Sequence, residues 1–198
     1  MTDVQAKPAW LTAEMPPGYR NRLEEIERLS RELDQLSRFG SLLYSVGDAL
    51  SAAVKEACAA LDFETVATRR PGGLSVDVKL DSARRVLFHV SASDAVIQRK
   101  SQDLAHVFQM LHEVAGADDR VVLIANHHPD TRPADRPEGI EADALNLLKR
   151  LGANYLPAPA LFAIWSASLQ NRDLARGSID RLHAQDGGAF VLPAVLTV

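Results

Sequence analysis

Residues 74–80 read Leu-Ser-Val-Asp-Val-Lys-Leu, and residues 85–92 read Arg-Val-Leu-Phe-His-Val-Ser-Ala. In the first stretch Leu74, Val76, Val78 and Leu80 fall on one side and Ser75, Asp77 and Lys79 on the other. In the second, Val86, Phe88 and Val90 alternate with Leu87, His89 and Ser91. A period of two is the mark of a β-strand, because successive side chains leave opposite faces. Asp81 to Arg84 provides the turn between these strands, and Pro71-Gly72-Gly73 the turn before the first of them. Phe63 to Thr68 is a further short strand upstream, so three strands follow one another.

Downstream, a helix is expected from about Asp94 or Val96 to Val114, with Leu104, Val107, Phe108 and Leu111 on its buried side and Gly116 as its stop. Val121-Val122-Leu123-Ile124-Ala125 is a continuous apolar run between polar residues, the pattern of a parallel strand buried on both faces. Asn126 to Gly139 is a polar loop with three prolines, Pro129, Pro133 and Pro137. Loops of this length often carry function. A helix from Ile140 to Leu151 capped by Gly152, a strand from Ala153 to Leu156, a helix from Ala160 to Leu169 and a last helix near Leu174 to Ala184 complete the order. The tail, Phe190 to Val198, is apolar and suits an edge strand or a partner contact.

Upstream, Val46 to Leu61 has the stripe Leu50, Val54, Ala57, Cys58 and Leu61, and Cys58 reads as a small buried hydrophobe on it. Before it, Ile26, Leu29, Leu33 and Leu36 follow 3-4-3 spacing between Tyr19 and Phe39, with Leu43 seven residues beyond Leu36. That is an a/d seam on a helix whose other faces carry charge. Glu24 to Arg28 and Glu27 to Arg31 place acid before base at i,i+4, as a solvated helix favours. Two readings stand: a dimerising or partner-binding helix, and a helix packed on its own domain. Met1 to Gly18, with Pro8, Pro16, Pro17 and the Trp10-Leu11 pair, reads as an irregular leader. The chain therefore divides into residues 1–42, leader and coiled-coil-like helix, and 43–198, an α/β core with a helical C-terminal extension.

Composition removes several classes. With 198 residues, 46% of them hydrophobic, the chain is long enough for one ordinary domain and an appendage. A single cysteine rules out an internal disulfide and a thiolate-rich zinc site. No apolar run approaches the roughly 18 residues of a membrane span, and residues 1–10 contain no secretory h-region, so a cytoplasmic, bacterial-type protein is expected. A net charge of -4 provides no basic field for nucleic acid. No P-loop, Gly-x-Gly-x-x-Gly or Gly-x-Ser-x-Gly pattern is present.

The succession helix, three strands, helix, buried strand over roughly Leu43 to Leu169 resembles the restriction-endonuclease-like, or PD-(D/E)XK, superfamily, with its αβββαβ core and mixed sheet. The later stretch, Leu123-Ile124-Ala125-Asn126-His127 followed by Arg132-Pro133-Ala134-Asp135-Arg136-Pro137, has the texture of bacterial members with a helical leader. The resemblance implies an acid on the second strand, an acid on the third, and a lysine two residues after the second acid. Together these hold a divalent ion and activate water for phosphodiester attack. Asp77 fits the first acid. The third strand has His89-Val90-Ser91 where an acid and a lysine belong. Serine cannot replace the charge of lysine, and histidine is softer than the oxygen ligands magnesium prefers.

The residues leave three functional readings. The leading one is a catalytically degenerate nuclease-like domain that acts as a homodimeric binding or scaffolding module, self-associating through Ile26, Leu29, Leu33 and Leu36, with a protein partner and no cofactor. The second is an active nuclease using magnesium or manganese at a rearranged site: Asp77, Lys79, Glu56 from the first core helix, and His89. The third is a non-catalytic nucleic-acid binder using the paired basic residues Arg84-Arg85 and Arg99-Lys100, of which the latter pair opens the long helix; Arg69-Arg70 and Lys149-Arg150 recur in the same way. Asn126 and His127 stand where the buried strand meets the long loop, a position that binds ligands in open α/β sheets. There, Asn126 and one histidine either organise the loop by hydrogen bonding or, with His128 and Asp130, hold a metal.

Overall fold

The computed structural model describes residues 14–70 and 73–193. The Trp10-Leu11 pair, Pro71-Gly72 of the expected turn and residues 194–198 of the apolar tail lie outside the described residues. The chain divides into two compact units between Arg38 and Phe39.

The first unit is dominated by α1, Tyr19–Phe39, a helix with no buried residue. Arg28 bridges Glu25 and Glu32 along its surface. Ile26, Leu29, Leu33 and Leu36 are all exposed, Leu33 to 67% and Ile26 to 61%. Leu43 does not continue this seam. It belongs to the separate short helix α2, Ser41–Tyr44, where its neighbour Leu42 is buried.

The second unit is an α/β fold built on a six-stranded mixed sheet. Its strands are β1 Glu64–Arg70, β2 Gly73–Lys79, β3 Arg85–Val90, β4 Arg120–Ala125, β5 Asn154–Pro157 and β6 Gly188–Ala189. They lie in sequence order. β1, β2 and β3 pair antiparallel, and β3 through β6 pair parallel. The change of sense follows the connections. Two residues separate β1 from β2 and a short turn joins β2 to β3, whereas helices separate the later strands and return the chain to the same end of the sheet.

The alternation seen in the sequence decides the layers. Val76, Val78, Val86, Phe88, Val90, Val122, Ile124 and Leu156 face a core shared with α2, α3 (Gly47–Ala60), α6 (Ala158–Ser168) and α7 (Arg172–Ala184). Leu87, Val121, Leu123, Ala125 and Tyr155 face the opposite core, covered by α4 (Gln102–Glu113) and α5 (Ala142–Leu151). All of Val121 to Ala125 is fully buried, as the unbroken apolar run requires. Cys58 is fully buried on α3. Burial of side chains such as Phe88 or Leu123 contributes about 2 kcal/mol each. Gly152 ends α5 at φ +70, in the left-handed region where a side chain would be strained.

Three expectations are corrected. The long helix starts at Gln102 rather than near Asp94, because Ile97 is tied into a bridge and residues 98–101 close a turn, with the Ser101 amide donating to the Gln98 carbonyl at 2.9 Å. Ile97 bridges Ile140, its amide donates to the Gly139 carbonyl, and its own carbonyl accepts from Glu141. Arg99 and Lys100 consequently precede α4 and do not open it. Phe108 is 49% exposed and packs on His112, while Met110 takes the buried position, since the observed helix turns Leu104, Val107 and Met110 inward. The edge strand is Gly188–Ala189, ahead of Phe190.

Among the described residues no helix is long and apolar enough to cross a membrane.

Candidate functional site

The polar sides of β2 and β3 form one surface. Ser75 lies opposite His89 in the antiparallel register, and Asp77 opposite Leu87, so Ser75, Asp77, His89 and Ser91 leave the same face of the sheet. Each of these side chains is already engaged. Arg70, at the end of β1, donates to both oxygens of Asp77 at 2.9 and 2.8 Å and to the Ser75 hydroxyl at 2.5 Å. The Arg70 and Asp77 side chains are only 15% and 17% exposed. A forked guanidinium on a carboxylate is among the strongest polar contacts available.

His89 is buried and turns away from Asp77 towards α4. Its Nε2 lies 3.0 Å from Asp103 Oδ1, and the Ser91 hydroxyl donates to Asp103 Oδ2 at 3.1 Å. Asp103 stands in the first turn of α4, where the helix dipole favours negative charge. Burial pushes its carboxyl up, but the hydrogen bonds from His89 and Ser91 outweigh this and hold it below the ordinary value. One turn along the helix, His106 brings its ring to 5.3 Å from that of His89, in an edge-on arrangement. Nδ1 of His106 is buried without a hydrogen-bond partner. Burial, reinforced by His89, pushes the His106 imidazole towards its neutral form. One ligand atom from each of His89, Asp103 and His106 lies within 4.8 Å of the others.

The remaining residues of the rearranged site do not join them. Lys79 is paired with Glu64 at 3.1 Å on the exposed surface. Glu56 is exposed on α3, whose buried side packs on Val76 and Val78, so the sheet stands between it and Asp77. Asp77, Lys79, Glu56 and His89 thus form no common constellation.

The arginines of the pairs Arg69-Arg70 and Arg84-Arg85 are also engaged. Arg84 binds Asp81 at 2.6 Å and approaches Asp180, Arg85 binds Asp119 at 2.5 Å, and Arg69 binds Asp48 at 3.0 Å. Arg99 lies beside Asp143 and Arg150 in a small surface hollow. These arginines are spread over several elements, and Arg69, Arg84 and Arg85 are each paired with an acid.

A second site lies at the carboxyl ends of β4 and β5. Asn126 is fully buried and donates to the Ser45 carbonyl at 2.9 Å. Its own amide oxygen accepts from Arg136 at 2.6 Å. Arg136 also donates to the carbonyls of Thr131, Leu43 and Pro129, so a single guanidinium draws the long loop together. His127 Nδ1 donates to the Asp94 carbonyl at 3.2 Å, which leaves Nε2 as the acceptor, and that atom is buried without a partner. The chain turns immediately after it, with His128 at φ +49. Asn126 and His127 therefore organise the loop through hydrogen bonds. Beside them opens a cavity of about 410 Å³, lined by Ala125, His127, Arg136, Gly139, Tyr155 and Pro157.

Asp103, His106, Arg70 and Arg136 were not singled out in the sequence as site residues. The legible signal for the first two is the Asp103-x-x-His106 spacing, which puts both on one helix face. Arg70 was legible only as part of the basic pair Arg69-Arg70, and Arg136 gave no pattern, because most of its partners are backbone carbonyls. Comparison with protein-family models, with curated proteins and with solved structures found no match.

Proposed function

We propose that this chain is a restriction-endonuclease-like domain without catalytic function, working in the cytoplasm as a homodimeric binding or scaffolding module. The order helix, three strands, helix, strand from α3 to β4 supports the nuclease-like reading. The state of Asp77 supports the loss of catalysis. Both oxygens of Asp77 accept from Arg70, so the carboxylate is already paired with a cation whose charge opposes a divalent ion beside it. The third strand offers His89 and Ser91, both turned to Asp103.

The observation that carries the self-association is α1. Its stripe of Ile26, Leu29, Leu33 and Leu36 is exposed along a helix of 21 residues, with ion-paired charges on the flanks. Two copies bury such a stripe by interleaving a and d side chains. Fewer than three heptads make a weak coiled coil alone, so each copy adds only a modest interface and the module reaches its dimer by mass action.

The catalytic part is tested by incubating the full chain with plasmid DNA, linear DNA and RNA in magnesium or manganese. The reading expects every substrate to remain intact. Cleavage that disappears in Asp77→Ala would instead establish the active nuclease. Affinity for nucleic acid that falls steeply with salt, and with loss of the Arg84 and Arg85 charges, would establish the non-catalytic binder.

A further inference from the structure

We propose that His89, Asp103 and His106 form a binding site for a zinc-class divalent ion, joining β3 to α4. This site shares His89 with the third-strand position but takes its other two ligands from α4, and it does not depend on self-association.

The three side chains come from two elements that face each other. His89 projects from β3 on the α4 side of the sheet, and Asp103 and His106 lie one turn apart on α4. Their ligand atoms already lie within 4.8 Å of one another. A tetrahedral ion with bonds of about 2.1 Å holds its ligands about 3.4 Å apart, so small side-chain rotations close the set. His89 Nε2 and Asp103 Oδ1 are at 3.0 Å and need no approach. The buried, unpartnered Nδ1 of His106 is a polar atom whose burial nothing in the protein offsets.

The donor set selects the ion. Two imidazoles and one carboxylate suit zinc and its neighbours, whereas magnesium and calcium prefer oxygen throughout. Three protein ligands leave a fourth position for water. The second shell is present too, since the Ser91 hydroxyl holds the other oxygen of Asp103 and fixes the carboxylate plane.

The test uses the full chain, free of any histidine tag and stripped of metal by chelation. Titration with Co2+ should give the visible absorption of a tetrahedral nitrogen and oxygen site, saturating at one equivalent, and Zn2+ should displace it. His106→Ala and Asp103→Asn should each weaken Co2+ binding by roughly tenfold or more. His112→Ala, altering an exposed histidine of the same helix, should leave it unchanged. His89 is buried and its replacement risks the fold, so the half-exposed His106 carries the decision, with far-ultraviolet circular dichroism confirming that the variant is folded. No tetrahedral spectrum, or one that survives both variants, overturns the site. Neither result bears on the dimer, which is read from solution mass.

Discussion

Arg70 holds Asp77 by a pair of parallel hydrogen bonds, 2.9 and 2.8 Å long, across the β1–β2 hairpin. Both side chains are largely covered, so the pair is worth more than a surface ion pair and leaves a costly orphan when halved. Arg70→Ala and Asp77→Ala should each lower stability by about 1–2 kcal/mol in urea unfolding. The double variant should lose clearly less than the sum of the two, which a double-mutant cycle measures directly.

Gly139 is required by the ring of His127. A Cβ on residue 139 would stand 2.0 Å from His127 Cδ2, and the ring is buried and held by its Nδ1 bond to the Asp94 carbonyl. Gly139→Ala should therefore destabilise by about 1–3 kcal/mol. It should also displace the His127 ring, visible as shifted imidazole resonances in the NMR spectrum.

Burial lowers the pKa of His127, an effect that the hydrogen bonds to the Asp94 and Ala95 carbonyls only partly oppose. The unfolded chain therefore takes up this proton before the folded chain does, and stability falls as pH drops below the ordinary histidine range. Asp119 adds a second loss at lower pH: burial pushes its carboxyl up, but hydrogen bonds from Arg85 and the Gly116 amide outweigh this and hold it below the ordinary value. Urea midpoints should decline from pH 7 to pH 5, and His127→Gln should flatten that decline.

Cys58 is fully buried on α3, and burial pushes its thiol up to about 12. It should resist thiol reagents in the native protein and react at once in denaturant. Cys58→Ser should cost about 2 kcal/mol, because the hydroxyl enters an apolar core.

Much of the architecture was legible because it rests on local periodicity. The alternation in residues 74–80 and 85–90 and the unbroken run of Val121 to Ala125 set strand faces and parallel pairing, and all of these are observed. The helix between Tyr19 and Phe39 was legible because its 3-4-3 apolar spacing and charged flanks are local to it. The start of α4 was not, because an isolated bridge between Ile97 and Ile140 keeps the preceding residues out of the helix, and that contact spans a long separation in sequence. The candidate site was half legible. His89 and Asp77 stood out by strand position, but their partners Asp103 and Arg70 are fixed only by the packing of α4 on the sheet and the pairing of β1 with β2.

The central claim is that the exposed stripe of α1 brings two copies together without catalysis. It is tested most directly by the solution mass of the full chain, measured by light scattering over a concentration series, beside Leu29→Asp/Leu33→Asp. The chain should approach 43.2 kDa, twice its 21.6 kDa, at high concentration, and the double variant should stay at 21.6 kDa with an unchanged circular dichroism spectrum. A wild-type mass of 21.6 kDa at every concentration, or a dimer that persists in the variant, would contradict it.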